Sequence, residues 1–153
     1  MARLGLDLEG YLPKASTRAV GNNGNNIYAN VPLIQQTTSF NCGPTSVLQA
    51  LYGMNALNSV SGADNAAKIN TLMSNANATT GGAYVYKLRD TLNLYAPYSS
   101  YSYVGASSLN ISSFQTRVEN SLYYDMAPIL HAETDALSYY RGNTYYHYIP
   151  FIR

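Results

Sequence analysis

The stretch Gln36-Thr37-Thr38-Ser39-Phe40-Asn41-Cys42-Gly43-Pro44-Thr45-Ser46 holds the only cysteine of the chain, six residues after a glutamine. Proline at the first helical position loses no hydrogen bond and already has a helical φ, and the glycine before it lets the chain turn in. Gly43-Pro44 therefore marks a helix start. Cys42 then sits at a helix N-terminus, where unpaired amide N–H groups and the positive end of the dipole favour the thiolate, the form that attacks carbonyls. Beyond it Val47, Leu48, Leu51 and Met54 recur at helical spacing, which predicts a helix over about Pro44 to Tyr52 with one face in the core. A free cysteine is otherwise a small buried hydrophobe; the polar surroundings of Cys42 weigh against that. The layout is that of a cysteine nucleophile with an oxyanion-hole donor upstream.

Such a nucleophile needs a base, and the chain has two histidines, His131 and His147. His147 lies in Thr144-Tyr145-Tyr146-His147-Tyr148-Ile149, an aromatic and β-branched run that reads as a strand. His131 follows Pro128-Ile129-Leu130, the end of another short apolar strand. His147 is the preferred base, because a sheet can hold a histidine of a late strand against a helix tip. For at least one of the two, a solvated or core role must hold.

The segment from Val31 to Gln36 followed by Cys42-Gly43-Pro44 resembles the papain-like peptidase C39 family, whose members carry glutamine, five residues, then Cys-Gly-Pro at the start of the central helix. His147-Tyr148-Ile149 is similar to the His-Tyr-Val/Ile strand of that family. The resemblance covers about Val31 to Ile152 and keeps the order Gln, Cys, His. It implies that Gln36 donates to the oxyanion, Cys42 attacks and His147 exchanges the proton, with Gln35 as the register alternative to Gln36. No cofactor is needed for that chemistry. Relatives of this type cut leader peptides after paired small residues, or act in proteins that degrade cell walls. A peptide, preferentially a peptidoglycan stem or cross-bridge peptide, is the substrate expected.

One part of the pattern is missing. Papain-like sites orient the histidine with an Asp or Asn on a following strand, and the sequence ends at Arg153. Either the chain continues past Arg153, or Asn143 or Asp135 takes that place, or the machinery is incomplete. Pro150 is expected to break the strand of His147, since it cannot donate to a ladder. A catalytically incomplete papain-like module that binds or inhibits is therefore the alternative, and thioester transfer to an amine, as in transglutaminases, uses the same thiol.

Length and composition set the outer bounds. The 153 residues suit one domain with a single core. With 46% hydrophobic and 11% charged residues, Asn, Ser, Thr and the 16 tyrosines must cover the surface, a composition that points to an extracellular or cell-wall setting, including a phage-encoded lysin. One cysteine rules out an internal disulfide. The net charge of +1 without a basic cluster argues against nucleic-acid binding. No segment approaches the roughly 20 apolar residues of a membrane span, and the acidic residues Asp7 and Glu9 fall where a signal peptide would be apolar. One cysteine and two distant histidines show no metal-ligand spacing. Glu133 and Asp135 make an empty glycosidase signal without a defined carboxyl separation. The oligomeric state is open.

The pattern predicts α+β architecture, a helical half whose nucleophile helix packs on an antiparallel sheet; the resemblance names it a papain-like fold. Residues 1–30 read as an arm and linker, since Gly21-Asn22-Asn23-Gly24-Asn25-Asn26 has too little apolar surface to order itself, and residues 31–153 as the peptidase domain. Helices are expected over Ala63 to Ala76, over Ala83 to Leu92 capped by Thr80, and over Ser113 to Leu122 capped by Ser112. The alternating Ser and Tyr from Tyr95 to Val104 suits a strand. The tyrosines at 139, 140, 145, 146 and 148 gather around His147, where half-buried strand packing competes with a groove for carbohydrate or peptide.

Overall fold

Four amphipathic helices and an antiparallel sheet make an α+β fold in the computed structural model, which describes residues 3–4, 20–23, 26–29, 31–96, 101–124, 126–133 and 146–150. Helix α1, Cys42–Gly53, is the hub, buried at every residue from Gly43 to Leu51. It starts two residues earlier than the Gly-Pro signal predicts, with Asn41 as its N-cap. Pro44 is thus the third helical residue, still among the first four positions whose N–H no helix bonds. Met54 follows the helix instead of extending its apolar face.

Helix α2, Asn65–Asn75, buries Ile69 and Leu72 and is capped by Asp64, which accepts from the Ala67 N–H at 2.8 Å. Helix α3, Val85–Tyr95, buries Leu88 and Leu92 as its periodicity requires. Thr80 does not cap it. Thr79 and Gly82 exchange backbone hydrogen bonds of 2.9 and 2.8 Å, with Gly82 at φ +92°, and this tight turn closes before the N-cap of the helix at Tyr84. Helix α4, Ile111–Tyr123, is capped by Asn110, not by Ser112; the Asn110 Oδ1 accepts from Ser113 at 2.8 Å.

The four-stranded antiparallel sheet runs β4, Val104–Gly105; β1, Arg3–Leu4; β5, Ile129–Glu133; β6, Tyr146–Pro150. Among the described residues of the Ser and Tyr run, strand is formed at Val104. Tyr95 closes α3, and the Asn93 side chain takes both backbone groups of Tyr101, donating to its carbonyl at 2.9 Å and accepting from its N–H at 2.7 Å, bonds a ladder would have used. The asparagine-rich stretch is also corrected: β2, Val20–Asn23, pairs with β3, Asn26–Ala29, and β3 lies against α4. Backbone pairing orders it where apolar burial would not.

In the β5–β6 register Ile129 lies opposite Pro150, His131 opposite Tyr148 and Ala132 opposite His147. Pro150 falls at the strand end, so β6 is whole up to it. Cross-strand partners share a face, which puts His131 with Tyr146 and Tyr148, and His147 with Ala132 and Ile149 on the other side. The core joins Val47, Leu48 and Leu51 of α1 to Ile69, Leu72, Leu88, Val118, Leu122 and Tyr148. No helix among the described residues is long and apolar enough to cross a membrane.

Candidate active site

Cys42, Ser46 and Gln49 follow one another at four and three residues along one face of α1, with Thr45 beside them. Each turn has its own partner. Cys42 is half-buried at the tip. Ser46 Oγ donates to the carbonyl of Tyr148 at 3.0 Å, fastening α1 to β6 beside His147. Gln49 Nε2 donates to the Pro32 carbonyl at 2.9 Å, fastening the segment that carries Gln36. Cys42, the strand of His147 and the segment of Gln36 are therefore held to one helix.

Asn41 shapes the loop before the helix. It is fully buried, and its side chain turns back over that loop: Nδ2 donates to Thr37 Oγ1 at 2.7 Å and reaches Met73 Sδ at 3.8 Å, and Oδ1 accepts from the Thr38 N–H at 3.3 Å. It makes no side-chain cap on α1. The tip amides of Cys42 and Gly43 thus receive no acceptor from Asn41, and Pro44 has no N–H. This is the arrangement that suits an anion at a helix N-terminus.

Gln36, Cys42 and His147 line one cleft of about 350 Å³, with Thr45, Ser46 and Gln49 along its wall. In the extended approach Ile34 is buried and Gln36 half-buried, whereas Leu33 and Gln35 are exposed. The alternation turns Gln36 inward and excludes Gln35 from the cleft. Gln36 Nε2 donates to the Thr38 carbonyl at 2.9 Å, which uses one of the two amide N–H groups. Burial holds the pKa of His147 below its ordinary 6.5, so the neutral imidazole, a proton acceptor, is the favoured form.

A second cleft of about 460 Å³ opens on the other side of Cys42, walled by Phe40, Tyr84, Tyr86, His131, Tyr146 and Tyr148 and rimmed by residues 80–83. The His131 ring stacks on Tyr148 with centroids 4.3 Å apart and planes at 14°, and lies 5.4 Å from Tyr146. The two histidines therefore stand on opposite sides of the nucleophile, and His147 is the one that shares a cleft with Gln36.

Tyr148 is the ridge between the clefts. Its hydroxyl donates to the Ala83 carbonyl at 2.9 Å. A Cβ on Gly43 would meet its ring at 3.2 Å and Leu88 Cδ1 at 2.8 Å. Gly43 is thus required by close packing, not by the turn its place before proline suggests. Ser46, Gln49 and Asn41 line or brace the site and were missed by the motif reading; for Ser46 and Gln49, polar residues at helical spacing were the available signal, while Tyr148 was among the tyrosines weighed as a groove. Asn143 and Asp135, candidates to orient His147, lie outside the described residues, as do Tyr139, Tyr140 and Tyr145.

No family model, curated protein or solved structure matches the chain.

Proposed function

We propose that the protein is a papain-like thiol hydrolase that cleaves a peptide amide. The observation that carries the reading is the convergence of Gln36, Cys42 and His147 on one cleft at the uncapped tip of α1. The motif resemblance to C39 peptidases supports it from the sequence side.

His147 takes the proton of Cys42, and the thiolate sulfur attacks the amide carbon. The negative charge passes to the carbonyl oxygen, held by Gln36 Nε2 and the Cys42 N–H. As the tetrahedral species collapses, the C–N bond breaks and His147 returns the proton to the leaving amine. A thioester remains on Cys42. Water, deprotonated by His147, attacks it; the acid leaves and the thiol is restored. Every proton is accounted for by one imidazole, and no cofactor takes part.

The Gln36 bond to Thr38 favours a second reading, a papain-like shell that binds without turnover, because the donor is already engaged. The rate of Cys42 alkylation by iodoacetamide from about pH 4 to about pH 9 separates the two, measured in the wild type and in His147→Ala. A working pair alkylates far below the range of a free thiol, near ~8.5, and loses this in the variant. A simple thiol titration in both proteins sinks the hydrolase reading.

A further inference from the structure

The His147 cleft and the aromatic cleft have Cys42 and Tyr148 in common and nothing else among the described residues. A substrate whose carbonyl carbon sits on Cys42 must extend into both. Proton delivery decides which half goes where: the leaving nitrogen must come within hydrogen-bond reach of His147, so the amine half occupies the His147 cleft. The acyl half is left with the aromatic cleft.

The two linings differ in chemistry. The His147 side presents aliphatic residues, among them Val31, Ile34 and Ile149, beside the polar Gln36, Thr45 and Gln49. The other presents two groups of rings: Tyr84 stacked on Tyr86 at 5.6 Å from the start of α3, and His131, Tyr146 and Tyr148 from the sheet. Neither lining contains Asp, Glu, Lys or Arg among the described residues, so a charged side chain entering there would lose water without gaining a partner. Tyr84 is 73% exposed and Tyr146 59%, leaving ring faces bare on both walls of the cleft. Gly81 and Gly82 at the rim have no side chain to fill the space; a Cβ on Gly82 would meet nothing within 4 Å.

The geometry points to an aromatic residue on the acyl side of the scissile bond, its ring entering between Tyr84 and Tyr146 as a further member of the stack. The assignment rests on the hydrolase reading above and departs from the small residues that the family resemblance implies. A slot for paired glycines has no use for walls of six rings. Peptides made of small and charged residues, as in cell walls, leave those walls uncovered.

The test is covalent labelling of Cys42 by dipeptidyl chloromethyl ketones, in which Sγ displaces chloride and forms a thioether. Gly-Phe, Gly-Gly and Gly-Glu ketones are compared, each rate divided by that of iodoacetamide, which carries no acyl-side group. Labelling by Gly-Phe is expected to exceed the other two by about tenfold, and the advantage to fall to about twofold or less in Tyr84→Ala and Tyr146→Ala. Both side chains are exposed, so neither change unfolds the chain. Equal rates for the three ketones, or a preference that survives both substitutions, overturns the assignment. Iodoacetamide labelling that depends on His147, beside equal ketone rates, removes the aromatic subsite and leaves the hydrolase standing; labelling that ignores His147 removes both.

Discussion

The two sides of Cys42 are built by different means. On the His147 side, hydrogen bonds from α1 hold each wall: Ser46 grips β6 and Gln49 grips the segment of Gln36. On the aromatic side, ring stacking does much of the holding, with the bond from Tyr148 to Ala83 beside it. Directional bonds fix atoms to within tenths of an ångström, as proton transfer requires, whereas rings tolerate sliding, as recognition of varied substrates requires. Under the proposed hydrolase reading, chemistry belongs to the first side and selection to the second.

The sharpest way to break it is Gln36→Ala. If the first side carries chemistry alone, kcat falls by about 10² to 10³ as for loss of one oxyanion donor, while the ketone preference for Gly-Phe is kept. Loss of the preference together with turnover breaks the separation. Steady-state kinetics beside the labelling ratio decide it.

Gly43→Ala strikes the ridge common to both sides. Alanine in place of a helical glycine gains about 0.5 to 1 kcal/mol. Against this, the new methyl stands 2.8 Å from Leu88 Cδ1 and 3.2 Å from the Tyr148 ring, and Leu88 is 3% exposed, so overpacking costs about 1 to 3 kcal/mol. The clash prevails, and urea unfolding is expected to show a net loss near 1 to 2 kcal/mol. A stabilised variant means that α1 and β6 have slack between them.

The smallest effect is in pH. Burial lowers the pKa of His147 in the folded chain below 6.5, so the unfolded chain binds the proton first as pH falls. Stability contributed by His147 is present above about pH 6.5 and declines through the window below it. His147→Gln flattens that slope, read as unfolding midpoints at several pH values; a slope kept in the variant transfers the effect to His131.

Helices were legible in the sequence because their signals are local. Ile69, Leu72, Leu88, Leu92, Val118 and Leu122 are buried where their periodicity put them. Caps were less legible, since Ser112 and Asn110 compete within one turn and only the finished backbone selects Asn110. The pairing of β2 with β3 was not legible, because an asparagine-rich stretch offers little apolar alternation to read. The strands of Ile129 and His147 were legible as strands, but the register of His131 against Tyr148 was not, because it depends on partners far along the chain. Of the site, Gln36, Cys42 and His147 share a cleft as their motif implied, while the residues that mount them are visible only in three dimensions.

The bond from Ser46 to Tyr148 spans 102 residues of chain. Helices form from neighbouring residues in microseconds or less, whereas contacts of such separation must first meet the entropy of closing the loop. During folding, α1 therefore exists before β6 docks on it, and a strand of this kind can also open without unfolding the helices. In either state the thiol lacks His147 beside it. The Cys42–His147 pair of the proposed mechanism is a property of the assembled molecule alone, and a newly made or partly opened chain is without it.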